Sequence, residues 1–402
     1  MLKKIVLFTG CFFALVNINA QRRKYANEFL NIGVGARGLG MSGAQAATVN
    51  DVTSTFWNPA GLIGINSDFQ VGLMHSEYFG GISKYDYLGT AFPMKNKKGV
   101  IGLSLIRLAV DDIPYTLNII QPDGTVDYSK LKSISSSDYA GVITYAQKLK
   151  IKRFEGREDV NMNIGGNFKI IHRNVGELAN AWGAGIDIGF QARVKKWKIG
   201  INAKDITTTY TLWNFSFTDR EKQVLAQTGN EIVSKSTEIN TPRLVLGLGR
   251  YFPIEFRDSS KKAYLLAEAN LDVTTDGKRY GNILNINPFS VDPKMGLEFG
   301  YNNLFFIRGG IGGFQRVFKD EDTTNTQKRT MFQPTFGIGV KINQIAIDYA
   351  FSSLNVENNP IYSHFISMKL NINKKGSNYG IANTDIDYRA RQINQKINKS
   401  TQ

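Results

Sequence analysis

The sequence predicts an all-β protein, a 14-stranded antiparallel transmembrane β-barrel with an N-terminal hatch or plug segment. Three observations support this fold class. From Asp68 onward apolar and polar residues alternate with a period of two, which is typical of strands with two different faces. The predicted strands run for roughly 10–16 residues, whereas soluble strands average about 5–6 and membrane strands need about 9–11. Short and long connections alternate along the chain, as they do in bacterial membrane barrels.

Residues 1–20 have the pattern of a secretory signal peptide. Lys3 and Lys4 precede the apolar run Ile5 to Val16, which is shorter than the roughly 20 residues that span a bilayer. We expect cleavage before Gln21. Thr9-Gly10-Cys11 leaves a lipoprotein signal as an alternative, but the apolar run continues past the cysteine and favours ordinary cleavage. Because Cys11 is the only cysteine, the mature chain is expected to have neither a disulfide nor a thiolate.

The composition argues against a nucleic-acid-binding protein. The formal charge of the 402-residue chain is +15, but the basic residues are scattered through turns and tails. No basic helix or aromatic–basic recognition motif is present, so we expect these charges to face solvent, anionic lipid head groups or partners. The chain has 39 glycines, 25 phenylalanines and 17 tyrosines, an abundance typical of β-barrels.

Residues 21–66 are predicted to form the hatch. The glycine-rich part, Asn27 to Gly64, suits no long strand or helix. Gly33 to Gly38 matches G-x-G-x-x-G, but it has no preceding strand and no βαβ context, so a nucleotide loop is not favoured. Pro59 fixes its own backbone and pushes Asn58 away from helix, while Trp57 offers a large anchor. These residues predict a rigid turn inside the barrel, which either gates passage or serves only as a folding plug.

Residues 67–373 are predicted to form the barrel. Inward-facing Asn161, Asn163, Glu268, Asn270 and Asp272 indicate a polar lumen. Aromatic pairs near strand ends, at Tyr78-Phe79, Tyr251-Phe252 and Phe305-Phe306, are expected to form interface girdles. The fourteen predicted strands begin near Asp68, Ser83, Gly99, Asp138, Asp159, Leu178, Trp197, Glu238, Lys262, Asp292, Leu304, Arg329, Gln344 and Tyr362.

The connections predict the orientation. Long loops, which face outward in this class, are expected at Asp111 to Ser137, Ile206 to Thr237, Thr275 to Val291 and Phe318 to Lys328. An even strand number then places both termini in the periplasm. The polar segment 374–402 is predicted to be a disordered periplasmic tail or a docking segment, with a short helix possible around Tyr388 to Ile397.

The sequence predicts no catalytic residues, cofactor or metal, and therefore no enzyme. His75, His172 and His364 fall in three different predicted strands without ligand spacing, and no serine lies in a nucleophile elbow. Asp111-Asp112 and Asp320-Glu321-Asp322 lie in predicted outward loops. Calcium or partner binding there is an alternative to ordinary solvated charge.

The hatch motif carries a family resemblance. Its residues resemble the N-terminal hatch of FadL-type barrels, through Ala46, Ala47, Asn50, Asp51, Thr53, Trp57, Asn58, Pro59, Ala60 and Gly61. The segment Phe29 to Met41 resembles the PorV/PorQ branch found in Bacteroidota. The resemblance implies a fourteen-stranded outer-membrane barrel with an N-terminal plug. FadL proteins move hydrophobic small molecules into the cell, whereas PorV-like members serve type IX secretion and receive the C-terminal signal domains of secreted proteins.

From these features we predict a PorV/PorQ-like outer-membrane barrel acting in type IX secretion, with outer-membrane lipid, a translocon or cargo C-terminal domains as partners. Apolar loop residues would bind the partner, namely Ile119, Ile120, Trp213, Phe215 and Phe217. The alternative is a FadL-like uptake channel for apolar solutes, which the polar inward residues make less natural. A soluble periplasmic β-protein is a third possibility. The last predicted strand ends near Ile372 and the chain continues, whereas many outer-membrane barrels end at an aromatic residue.

Overall fold

The computed structural model describes residues 26–373 except 79, 95–98, 122, 151–159, 259–260, 278, 280–283, 287, 319–327 and 355–360. The predicted signal peptide, the tail 374–402 with its possible helix, and the cluster Asp320-Glu321-Asp322 therefore lie outside the described residues. No helix in the described part of the chain is long and apolar enough to cross a membrane.

Alternating residues build a single antiparallel sheet that closes on itself, because β1 pairs with both β2 and β17. Its strands are β1 Phe69–Tyr78, β2 Ser83–Pro93, β3 Val100–Tyr115, β4 Lys132–Lys148, β5 Val160–Val175, β6 Ala179–Val194, β7 Trp197–Lys204, β8 Thr209–Phe215, β9 Lys235–Asn240, β10 Arg243–Glu255, β11 Lys262–Thr274, β12 Leu284–Ile286, β13 Phe289–Tyr301, β14 Phe305–Phe318, β15 Lys328–Ile342, β16 Ile345–Leu354 and β17 Ile361–Ile372.

These segments make fourteen barrel strands, which confirms the predicted fold class. β6 pairs with β7 and then with β8, so β7 and β8 are two parts of one barrel strand. β10 pairs with β7 and β9 pairs with β8, so they form the next barrel strand together. The short β12 pairs only with the beginning of β13.

The barrel has a turn end and a loop end. We define the turn end as the one where β1 begins and β17 ends, since Phe69 pairs with Ile372 there. The tight connections after β6, β13 and β15 also lie at this end. The opposite end, the loop end, carries the connections after β3 and β8.

Three predicted loops are wrong in part. The predicted loop from Thr275 to Val291 contains β12 and the first residues of β13. β4 begins at Lys132, six residues before the predicted Asp138, because the β3–β4 ladder continues past a bulge at Asp111 and Asp112. The connection between these strands is therefore residues 116–131. The predicted loop from Ile206 to Thr237 contains β8, the start of β9 and a helix, Asp219–Gln227. The other predicted strand starts lie within three residues of the observed ones.

The two faces of the wall differ in polarity, as the alternation predicts. Leu73, Leu88 and Leu105 are cross-strand neighbours that point outward and are exposed. Similar exposed apolar side chains surround the barrel, among them Ile170, Ile199, Leu248, Leu297, Ile338 and Ile347. Such a belt on a closed barrel is typical of a membrane-spanning wall. The buried inward positions include Glu268, Asn270 and Asp272, as predicted.

A polar and aromatic row borders this belt toward the loop end. His75, Asp86, Arg107, Tyr139, His172 and Trp182 follow one another in register across β1 to β6. The expected girdle is only partly formed. Phe252 and Phe305 are exposed, but Tyr78 packs inside the barrel against Tyr85 and Phe365.

Candidate functional site: the hatch and the lumen

The hatch fills the middle of the barrel with short turns rather than long elements. It contains 3-10 helices at Glu28–Asn31 and Pro59–Gly64 and single helical turns at Ala36–Leu39 and Ser54–Trp57. Turns this short leave many backbone groups without a partner in their own element, and buried groups of this kind need partners elsewhere.

Side chains of the wall supply those partners. Asn167 donates to the Thr55 carbonyl at 2.9 Å, and Asn202 donates to the Trp57 carbonyl at 2.9 Å. The Val52 amide donates to Gln70 at 2.7 Å. Further contacts from the rest of the circumference come from Tyr87, Gln191, Glu268, Thr335 and Ser367. The polar inward residues are thus largely the hydrogen-bond partners of the hatch.

Inward-facing glycines let the hatch approach the wall. A Cβ at any of them would lie within 3.3 Å of a hatch atom, and real Cβ atoms rarely come so close. At Gly200, for example, it would collide with the backbone of Ala46 and Ala47. The glycines stand on nine barrel strands, as Gly72, Gly102, Gly165, Gly189, Gly200, Gly247, Gly296, Gly310 and Gly337.

Trp57 anchors the hatch internally. Its indole nitrogen donates to the Val34 carbonyl at 2.8 Å. The ring packs against Gly33, Gly38 and Gly43, where a Cβ would lie only 2.9–3.2 Å from its atoms. Gly33 has φ +106°, which further favours glycine. Two of the three glycines that match a nucleotide loop, Gly33 and Gly38, therefore accommodate a tryptophan ring, and the third, Gly35, lies against Thr53.

The residues after Trp57 close a buried turn. Asn58 accepts from the Ala60 amide at 3.2 Å and donates to the carbonyls of Ala46 and Phe190 at 2.8 and 3.1 Å. Pro59 begins the following 3-10 helix, where a missing N–H costs nothing. A Cβ on Gly61 would lie 2.5 Å from the Val49 carbonyl oxygen, so this position requires glycine.

Buried ion pairs bind the hatch to the wall. Arg37 makes a bidentate contact with Glu298 at 2.8 and 3.1 Å, and Arg308 joins Glu298 at 2.7 Å. Asp51 pairs with Lys369 at 2.5 Å. Burial raises the pKa of Asp51, but Lys369 and Arg37 outweigh it and hold this pKa well below its usual range. Asn50 accepts from Arg37 at 3.2 Å and faces the turn end.

One sector of the lumen is apolar. Tyr85, Ile106, Ile171 and Phe365 belong to one buried cluster toward the loop end, which also contains Met74, Tyr87 and Ala140. From the hatch, Phe29, Leu39 and Phe56 pack against the same cluster. The sector follows β17 and β1 to β5. Sequence alternation did not reveal it, because apolar residues lie on both faces of these strands.

The predicted partner-binding residues have different environments. Ile119 and Trp213 are buried, whereas Ile120, Phe215 and Phe217 are half-buried. Trp213 stacks on Phe215 and lies under the guanidinium of Arg173. The exposed apolar residues of these segments include instead Val126, Tyr128, Leu131, Ile232 and Val233, together with Tyr210 and Leu212 on β8.

The three histidines lie on β1, β5 and β17, and the described residues contain no group of three or more potential metal ligands. Asp111 pairs with Lys84 at 3.0 Å on the outside of the wall.

No protein-family model and no curated protein sequence matches the chain. Among solved structures it is similar to the CymD monoaromatic hydrocarbon channel, with a TM-score of 0.48, 12% identity and coverage of 85% of this chain and 98% of that one. It is also similar to the Ralstonia pickettii toluene transporter TbuX, with a TM-score of 0.47, 12% identity and coverage of 85% of this chain and 98% of that one. For a Pseudomonas aeruginosa FadL homologue the TM-score is 0.46 and the identity 11%, with coverage of 84% of this chain and 98% of that one. Likeness at this level concerns the fold and assigns no function.

Proposed function

We propose that this protein is an outer-membrane barrel for the uptake of apolar small molecules, which enter the lumen from the loop end above the hatch. The observation that carries the proposal is the apolar sector formed by Ile106, Ile171, Phe365 and their neighbours. Phe29, Leu39 and Phe56 of the hatch cover this sector in the structure. Once they move away, the sector offers an apolar solute an apolar surface, whereas the lumen of a water-filled pore is polar.

The polar inward residues are compatible with an apolar solute. Asn167, Gln191 and Asn202 donate hydrogen bonds to the hatch backbone, so their polarity is explained without a water-filled passage. Passage to the turn end then requires the hatch to rearrange. The interruption of the barrel strand between β7 and β8 does not leave an opening in the wall at Ile206, because the Ile206 amide donates to the Ile186 carbonyl on β6 at 3.0 Å.

Uptake of labelled naphthalene by cells that produce the protein tests this function. Ile106→Asn and Phe365→Asn place an amide in the apolar sector, and we expect uptake to fall several-fold in both. Thr274→Asn is the matched control, because it exchanges one polar group for another at an inward position near the loop end. Equal uptake with and without the protein, or equal loss in all three variants, would contradict the proposal.

A second candidate is partner binding in type IX secretion, as the resemblance to the PorV/PorQ branch implies. It is favoured by exposed apolar residues on the connection 116–131, where Tyr128 is 75%, Val126 50% and Leu131 48% exposed. The end of β3 and this connection are both bound to the helix Asp219–Gln227, because Tyr115 of β3 donates to Glu221 and Arg220 donates to the Ile120 carbonyl. The two loops therefore present one surface.

Purification of the tagged protein in mild detergent distinguishes the two candidate functions. For the second candidate, the tagged protein should retain a large secretion barrel or cargo C-terminal domains, and Tyr128→Ser with Leu131→Ser should release them. Recovery of the barrel alone, together with uptake lost on deletion, would exclude that role.

A further inference from the structure

A polar cavity lies beneath the hatch at the turn end of the lumen. Its volume is about 320 Å³, within the range of small-molecule sites. The hatch contributes Arg37, Asn50 and Asp51 to it, and most of the remaining lining comes from the turn ends of β13 to β17. The proposed uptake of an apolar solute does not explain the charged side chains of this cavity.

Cationic side chains outnumber carboxylates around the cavity. The cations are Arg37, Lys198, Arg308, Lys341 and Lys369, and the carboxylates are Asp51, Glu298 and Asp348. All three carboxylates are already engaged. Glu298 accepts from Arg37, Arg308 and Tyr264, Asp348 accepts from Arg308, and Asp51 accepts from Lys369. The lining therefore has an excess of positive charge.

Lys341 carries part of that excess. In the part of the chain that the structure describes, no carboxylate lies within 4 Å of its ammonium group. Its neighbour in register on β16 is Ala346, whose neighbour on β17 is Lys369. The backbones of the two lysines are thus about 10 Å apart, two strand spacings. The small Ala346 between them leaves room for both side chains to reach one ligand, and the amides of Asn343 and Asn371 line the same place.

We propose that this cavity binds a small soluble oxyanion, a phosphate or carboxylate group, between Lys341 and Lys369. Two ammonium groups and side-chain amides supply the donors that such an anion needs. The site faces the lumen, so lipid head groups outside the wall do not reach it. Because Lys369 also holds Asp51 at 2.5 Å, the anion competes with the hatch carboxylate for one lysine. Occupancy of the cavity therefore weakens one of the ties between hatch and wall.

Calorimetric titration of the purified full chain in detergent with inorganic phosphate, at pH 7 and low salt, tests the site. We expect saturable binding that Lys341→Gln weakens about tenfold, corresponding to the loss of one charge-assisted hydrogen bond. Lys196→Gln is the matched control, since it removes the same charge from an exposed position at the same end of the barrel. A change in gel migration between unheated and heated samples verifies that each variant is folded.

Asp51→Asn tests the competition. It frees Lys369 but keeps an oxygen that accepts from the Thr53 amide, so we expect tighter phosphate binding than in the native chain. A purely structural role for Asp51 predicts unchanged or weaker binding. The proposal is overturned if the native chain shows no saturable binding, if Lys341→Gln and Lys196→Gln weaken it equally, or if Asp51→Asn does not tighten it. None of these results depends on uptake of an apolar solute.

Discussion

Gly309 and Gly310 on β14 provide a matched test of how the hatch is seated. The two residues are adjacent, and neither has a positive φ. A Cβ at Gly310 would collide with the carbonyl carbon of Met41 and lie 2.5 Å from the Ser42 nitrogen. A Cβ at Gly309, which points outward, would meet nothing within 4 Å. We therefore expect Gly310→Ala to unseat the hatch and Gly309→Ala to leave it in place.

The magnitude follows from the contacts. Overpacking a tight interior costs about 1–3 kcal/mol, and here the colliding atoms are backbone, which cannot rotate away. Replacing glycine by alanine in a strand otherwise gains about 0.5–1 kcal/mol. The two variants should thus differ by about 2 kcal/mol, which is about a thirtyfold difference in the population with an unseated hatch.

Proteolysis of the folded protein in detergent measures that population, because only an unseated hatch exposes its backbone to the protease. The initial cleavage rate between residues 27 and 64 should rise roughly thirtyfold in Gly310→Ala relative to Gly309→Ala. In chains that lack residues 21–66, the two substitutions should have the same effect on unfolding in urea. Equal cleavage rates in the full-length variants would refute the close fit between hatch and wall.

Three further predictions concern the hatch and the loops. Trp57→Ala removes the ring that Gly33, Gly38 and Gly43 accommodate and should destabilise the hatch by about 3 kcal/mol, measured by hydrogen exchange of hatch amides. Because the pKa of Asp51 is lowered in the folded protein, its pair with Lys369 contributes fully to stability above pH about 4, and this contribution is lost as the pH falls further. The difference in melting temperature between the native chain and Asp51→Asn should therefore be constant from pH 7 to 5 and shrink below pH 4. Thr218→Ala removes the capping box with Glu221 and should cost the helix Asp219–Gln227 about 1 kcal/mol, seen as faster exchange in that loop without change in the barrel.

The sequence was sufficient for the barrel because the period-two pattern is a local property of each strand. Leu265 to Val273, for example, shows its outward and inward faces within nine residues. The β3–β4 ladder was underestimated because Asp111 and Asp112 resemble a loop, whereas they form a bulge in a continuing pair of strands. The helix Asp219–Gln227 was missed, although Thr218 and Glu221 have the spacing of a capping box.

Less of the hatch and its contacts could be predicted from the sequence. The turn at Asn58 to Gly61 follows from local backbone preferences, and it was predicted. The partners of the hatch do not follow, because residues such as Arg37 and Glu298 are 261 positions apart and meet only when the ring of strands has closed. The inward glycines look like ordinary strand glycines until the hatch backbone is placed beside them. The buried positions of Ile119 and Trp213 likewise depend on packing between segments distant in the chain.

The closure of the barrel at β1 and β17 has a consequence for assembly. The first strand is joined directly to the hatch, and the last strand provides Ser367 and Lys369, which bind Ala36 and Asp51 more than 300 residues earlier in the chain. The hatch therefore binds both strands of the closing seam, since Val52 also donates to Gln70 on β1. We infer that a seated hatch holds β1 and β17 next to each other and so favours closure of the barrel, and that the closed seam in turn holds the hatch.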